Sequence, residues 1–413
     1  MVTKYDIFEV VYKHQAPIKP IEVTRMLNKY SSEYKNIYRI LNELVKDNFL
    51  IKKESRFKIN RSEKTELLYQ LIYYCTHNGI NYNFLLDKNL AEFIYETLKK
   101  EEFQQKDIKV TPKIFKKYTE ILDKYSLILI SSKKPLKARI FDNTLTNNLL
   151  VYFGFKKKPR RKFTINYLNE IEKELSLYKR LRKKNEAGYQ RIVNEFEIYF
   201  VQHSLSLEGN PITLPDTIRI LKDEVIPGDL KNEDVEEVKN YQIAILKMLK
   251  DAQKENLLTK ESILEYHRLA MIHKPKIAGQ IRDKSVHIKG NPNFKTAKAS
   301  EIRQKLKTLL EKYNKFIKKK KSTIKDIIDF SSYFHNEFQY IHPFEDGNSR
   351  ITRLLAFHLL HLKGIPMLDI PFGLLDEYLS YTKGSKKRDD KQLFENLQKI
   401  ILFNLKKINE KLS

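Results

Sequence analysis

The stretch HPFEDGNSRITR, residues 342–353, places a histidine, two acidic residues, a Gly-Asn step and two arginines within one short segment. Before it runs IIDFSSYFHNEFQYI, where Ile327, Phe330, Phe334 and Phe338 recur at helical spacing with no internal Gly or Pro. After it runs ITRLLAFHLLHLKG, a second apolar helical pattern. The segment is therefore a tight loop joining two buried helices. Gly347 and Asn348 tolerate unusual backbone angles, so successive N–H groups just ahead of the second helix converge on one spot and form an anion cradle.

The side chains around that cradle have complementary chemistry. His342 is a residue type that accepts a proton from a hydroxyl near neutral pH. Asp346 offers oxygen to a hard cation such as Mg²⁺. Arg350 and Arg353 lie one turn apart on the following helix and suit phosphate oxygens. A base, a metal carboxylate, a phosphate cradle and two arginines point to phosphoryl-type chemistry on a nucleotide.

The string is similar to the Fic family motif, HxFx(D/E)GNGRxxR, whose members typically transfer AMP from ATP to protein hydroxyls. The resemblance extends over about 195–405 and implies a mainly α fold: a helical core with a small β-hairpin flap. It implies His342 as general base, Asp346 as Mg²⁺ ligand, and Gly347 and Asn348 in the phosphate nest. Phe344 would anchor the loop, and Arg350 and Arg353 would bind the outer phosphates of ATP. One position departs: Ser349 stands where the family has a second glycine. A hydroxyl there adds a phosphate donor or changes how the nucleotide sits. The related Doc branch, with lysine at this place, transfers phosphate, so phosphate transfer and AMP removal stay open beside AMP transfer.

Upstream, HSLSLEGN at 203–210 is similar to the (S/T)xxxE(G/N) motif of autoinhibited Fic proteins, with Ser204, Glu208 and Gly209 at the matching positions. It implies an inhibitory helix near 195–209 whose Glu208 pairs with Arg353. The alternative is an ordinary helix terminus. Between 279 and 290, GQIRDKSVHIKG alternates around a charged turn and reads as a hairpin. In the family a hairpin here holds the target, which makes Ile281, Arg282, Val286 and Ile288 the flap positions. Tyr378 and Tyr381 line an adenine pocket or belong to the core.

The rest of the chain divides around this domain at 165–413. Residues 4–59 read as helix, helix, helix and hairpin, with Pro17 and Pro20 at the first turn. The third helix sets Tyr34, Ile37, Leu41, Leu44 and Val45 on one face, away from Lys35, Tyr38, Arg39 and Asn42. The segment 1–60 resembles a winged helix-turn-helix, which makes Lys35, Tyr38 and Arg39 candidate contacts to duplex DNA. A protein-interaction role for the same module stays open. Residues 61–164 read as a helical linker region. Within it, 111–140 is either a second winged helix, with Ile114, Phe115, Tyr118, Ile121 and Leu122 buried, or a connector with one hairpin.

Composition agrees with a phosphate-bearing partner without requiring one. Lys and Arg number 78 against 52 Asp and Glu, a surplus of 26, and six basic residues fall within 156–162. The lone cysteine, Cys75, excludes an intrachain disulfide, and no stretch is long and uncharged enough to span a membrane. The expectation is a cytoplasmic protein. Its substrates would be ATP and an unidentified target protein, and a homodimer is left open. The rival is a DNA-binding regulator whose Fic domain only senses nucleotide.

Overall fold

The computed structural model describes residues 2–156, 166–286, 291, 293–366, 369–382 and 389–413. It forms two compact units: residues 1–121 with 144–160, and residues 122–143 with 161–413.

The first unit opens with α1 (Lys4–His14), α2 (Pro20–Met26) and α3 (Tyr34–Lys46), followed by strands β1 (Leu50–Lys53) and β2 (Arg56–Ile59). Thr3 and Asp6 close a capping box at the start of α1, and Pro20 stands at the first position of α2, where a missing N–H costs nothing. The strands pair antiparallel from Leu50 opposite Ile59 to Lys53 opposite Arg56, and Ile18 bridges to Phe57. Along α3, Ile37, Ile40, Leu41 and Leu44 are buried. Tyr34, expected on that stripe, is instead exposed and stacks parallel to Tyr38. The unit continues through α4 (Glu63–His77), α5 (Tyr82–Leu85), α6 (Lys88–Thr97) and most of α7 (Pro112–Lys124), and regains the chain at α8 (Thr144–Tyr152). Phe93, Phe103, Phe115 and Tyr118 pack as one aromatic cluster, while Ile114 faces solvent, contrary to expectation. Cys75 is buried, and burial pushes its thiol up to about 12, so it is chemically quiet.

The hairpin of β3 (Ile128–Lys133) and β4 (Leu136–Ile140) belongs to the second unit. There Phe141 packs on Phe403, Lys406 donates to the Ser131 carbonyl, and Lys407 pairs with Asp123.

The second unit then runs α9 (Leu168–Lys184), α10 (Glu186–Ser206), α11 (Leu214–Lys222), α12 (Asn232–Gln253), α13 (Lys260–Ala270), α14 (Ile302–Ile317), α15 (Ile324–Ile341), α16 (Asn348–Leu362), α17 (Leu375–Thr382) and α18 (Asp390–Leu412). What reads in sequence as one helix from 166 to 209 is two. The break falls at Asn185, whose side chain caps α10 by accepting from the Gly188 N–H at 2.8 Å. The core is built around α15 and α16, which pack against each other and against α12, α14 and α18. Nearly every residue from Asn348 to Leu360 is buried, and Thr323 caps α15 through a capping box with Asp326. Of the basic run at 156–162, residues 157–162 lie outside the described residues. Among the described residues, no helix is long and apolar enough to cross a membrane.

Candidate active site

The loop between α15 and α16 is shaped by three local contacts. Asn348 folds back on it, with its amide nitrogen donating to the Phe344 carbonyl at 2.8 Å and its amide oxygen accepting from the Phe344 N–H at 2.9 Å. Phe344 is wholly buried and lies flat on His267, ring centroids 3.7 Å apart. Gly347 caps α16 with φ +79°, a left-handed conformation, and a Cβ there would sit 3.0 Å from Met271 Sδ and 3.2 Å from His267 Nε2. The side chain of Asn348 thus closes the loop, and its contribution to an anion site is its backbone N–H. That N–H, with those of Ser349 and Arg350, lies in the first turn of α16, where a helix has no carbonyl of its own to offer. Ser349 is buried at this helix end.

His342 ends α15 in a left-handed conformation, φ 48°. Its Nδ1 lies 3.1 Å from the Gln339 carbonyl, which can only accept, so Nδ1 carries the hydrogen and the lone pair of the neutral ring is on Nε2. Asp346 has both carboxylate oxygens engaged: Oδ1 accepts from the Gly347 N–H at 2.6 Å and Arg350 Nη2 at 3.1 Å, and Oδ2 from Lys274 Nζ at 2.9 Å. Burial alone would raise its pKa, but Arg350 and Lys274 hold it down to about 2, so it is ionised at neutral pH.

The two arginines are tied to acids outside the loop. Arg350 pairs with Glu237 on α12. Arg353, buried inside the core, donates from Nη2 to Glu208 at 2.9 Å and to the Ser204 carbonyl at 2.9 Å, and from Nε to Ser204 Oγ at 2.6 Å. Ser204 passes its hydrogen to Tyr241, whose hydroxyl donates in turn to the Arg350 carbonyl, at 2.9 and 3.2 Å. Burial works against the Arg353 charge, and the Glu208 carboxylate overcomes it and raises the pKa further. Gly209, φ +94°, turns the backbone just after Glu208, and Asn210 then donates to Glu237 at 2.7 Å.

Several partners carry no motif in the sequence. His267 on α13 accepts the Gly279 N–H at Nδ1 and donates from Nε2 to the Asp346 carbonyl at 3.0 Å, and burial lowers its pKa to about 4, so it stays neutral. Glu237, Tyr241 and Lys274 stand on helical or turn segments remote in sequence from the loop, and only charge or hydroxyl content marks them.

The expected flap departs from its sequence reading. Residues 279–286 carry no strand, and Ile288 lies outside the described residues. Ile281 and Val286 are partly exposed. Arg282 is a correction: it is buried, and its guanidinium is spent on the end of α15. Nε donates to the His342 carbonyl at 2.7 Å and Nη2 to the Ala297 carbonyl at 2.7 Å, while its N–H reaches the Pro343 carbonyl at 2.9 Å. A cation at the carbonyl end of a helix is favourably placed. Tyr378 is buried with its hydroxyl 2.6 Å from His335 Nε2, and Tyr381 bonds Glu377.

Residues 257–360, which include α13, α14, α15, the loop and most of α16, match the family model described as Fic/DOC family. That segment carries the likeness to the Fic/DOC family. The chain is similar to "Protein adenylyltransferase Fic" of Drosophila persimilis, 26% identical over 209 residues, 50% of this chain and 38% of that protein. It is also similar to the protein of the same name from Nematostella vectensis, 25% identical over 293 residues, 67% of this chain and 63% of that one. The chain thus spans less than two thirds of the length of these relatives. A Fic domain containing signaling protein from Bacteroides thetaiotaomicron superposes with a TM-score of 0.53 at 26% identity, over 59% of this chain and 96% of that one.

Proposed function

We infer that the chain is an autoinhibited protein adenylyltransferase that moves AMP from Mg-ATP to a Ser, Thr or Tyr hydroxyl of a target protein or of itself. The observation that carries this reading is the His342 ring, fixed by Gln339 with its lone pair on Nε2, beside the N-terminus of α16. The printed name of the relatives, protein adenylyltransferase, supports the choice of transferred group.

Nε2 of His342 takes the proton as the hydroxyl oxygen attacks the α-phosphorus; the bond to the bridging oxygen breaks and pyrophosphate leaves with its electron pair. The α16 N–H groups and Ser349 Oγ hold phosphate oxygens, and Arg350 and Arg353 take the outer phosphates. The ionised, partly exposed Asp346 carboxylate fits a single hard cation shared with phosphates. Among the described residues no cluster of three or more His, Cys, Asp or Glu forms an all-protein metal cage. Bound Mg²⁺ would supply charge neutralisation to the phosphates. Glu208 withholds Arg353 from the nucleotide, with Ser204 orienting the guanidinium toward it, which is the brake. Ile281 and Val286 border the target site. In the first unit, α3 and the β1–β2 wing read as a DNA-binding module, with Lys35, Tyr38 and Arg39 facing the duplex.

Incubation of wild type, Glu208→Gly and Glu208→Gly/His342→Ala with α- or γ-labelled ATP tests the reading. The expected result is α-label on protein in the Glu208 variant and none once His342 is removed. Label from the γ-position alone makes the chain a phosphotransferase, the outcome that Ser349 would explain. Nucleotide binding without label makes it a sensor.

A further inference from the structure

Two cations hold the Asp346 carboxylate, and they differ in whether they can leave. Arg350 is buried and is also fixed by Glu237, so its place beside Oδ1 is set by the core. Lys274 on Oδ2 is 38% exposed and Asp346 is 44% exposed at the side chain, so this ion pair faces solvent. Parting it strands no charge in a dry interior.

The position of Lys274 is nonetheless built. It lies in the turn after α13, where its N–H donates to Met271 and its carbonyl accepts from Ile277 and Ala278. The same segment holds Asp346 a second time, through His267 on the Asp346 carbonyl. One stretch of chain therefore fixes the backbone of Asp346 with a neutral histidine and its outer oxygen with an ammonium. Oδ1 is taken by the Gly347 N–H and Arg350, so Oδ2 is where an incoming cation must bind, and Lys274 already occupies it. Glu237, which shares Arg350 with Asp346, is engaged by Arg350 and Asn210.

Resting on the reading of Asp346 as the metal ligand, we propose that Lys274 is a built-in counter-ion which a divalent cation must displace, so that the cation enters with the nucleotide and not ahead of it. A bare cation meets one carboxylate flanked by two positive side chains, an unfavourable balance. A nucleotide brings several negative charges and reverses that balance. Lys274 is a positioning residue that sets the metal threshold of the site.

Mn²⁺ binding to the full chain without nucleotide, followed by electron paramagnetic resonance or calorimetry, tests this for wild type and for Lys274→Met, Lys274→Arg and Asp346→Asn, with thermal melts verifying that each folds. Lys274→Met is expected to bind Mn²⁺ about tenfold more tightly than wild type. Lys274→Arg should stay at the wild-type level, and Asp346→Asn should lose Mn²⁺ binding. Unchanged affinity in Lys274→Met, with binding still lost in Asp346→Asn, overturns the role of Lys274 alone. Equal gains in Lys274→Met and Lys274→Arg overturn it too, because the charge is then not the cause. Mn²⁺ binding that survives Asp346→Asn unchanged removes Asp346 as the ligand, and the counter-ion role with it.

Discussion

Arg353 Nη2 and Glu208 Oε1 lie 2.9 Å apart, and the guanidinium is buried while the carboxylate reaches it from the end of α10. The contact differs in kind from the Ser204 contacts on the same guanidinium: Glu208 neutralises the charge, whereas Ser204 only orients it. Glu208→Gly should therefore leave Arg353 charged, positioned and available, and tighten ATP binding by about tenfold or more. Ser204→Ala removes one hydrogen bond and breaks the chain to Tyr241, at about 1–2 kcal/mol of stability, but leaves the charge pair. Titration of both variants with a fluorescent ATP analogue should show the gain in Glu208→Gly and little in Ser204→Ala. Equal gains would mean that helix placement, not charge, is the brake.

Arg282 solvates the carbonyl end of α15 with its guanidinium, and His342 is the residue it holds. Arg282→Ala leaves buried carbonyls without donors and should lower stability by about 2–4 kcal/mol. Activity should fall further than stability does, because the His342 backbone is held in a left-handed conformation that needs support. Arg282→Lys restores charge but not the fork and should recover stability only in part. Denaturant melts and turnover at a temperature where both variants are folded separate the two losses.

The loop was legible in sequence because its residue types are chemically unusual in apolar surroundings. His342, Asp346, Arg350 and Arg353 all fall at one helix junction. Glu208 was legible only through its resemblance to the (S/T)xxxE(G/N) motif, and the structure pairs it with Arg353 as that resemblance implies. Lys274, Glu237 and His267 were not: each acts through a tertiary contact to the loop, and local pattern has no access to which lysine or glutamate ends up beside it. Arg282 misled, since alternation around it reads as a solvent-facing strand while the fold buries the residue as a donor to the carbonyl end of α15. The break at Asn185 was hidden because the helical residues on both sides keep one continuous pattern, and a single Asn is a weak stop against them.

Buried neutral histidines set an acid limit. Burial lowers His267, His335 and His358 each to about 4, below the unfolded value near 6.5. Their protons bind the unfolded chain first, so stability is fully present above pH 6.5 and is lost as pH falls toward 4. Each site contributes at most about 3–3.5 kcal/mol over that window. Asp346, held near 2, loses its own contribution only below the carboxylate range and does not enter. Melting temperature should drop between pH 7 and 5, and His267→Gln should flatten the slope. A pH-independent melting temperature across that range would count against the neutral, buried assignment.

On α3, Arg39 is paired with Glu43 and donates to Asn36 Oδ1, while Lys52 on β1 donates to the Tyr38 hydroxyl at 3.0 Å. If this face meets DNA, phosphate must compete with Glu43 for Arg39. Two substitutions on one helix then move affinity in opposite directions. Arg39→Ala should weaken binding to a random duplex and reduce the slope of log affinity against log salt by about one. Glu43→Gln should strengthen binding, because it frees Arg39 and removes a negative charge facing the backbone. Lys35→Ala, on an exposed lysine of the same helix, should behave like Arg39→Ala. Fluorescence anisotropy of the full chain over a salt series reads all three. Loss of affinity in Glu43→Gln, or no change in any variant, would move the DNA contact off α3 and leave the module as a protein-binding surface.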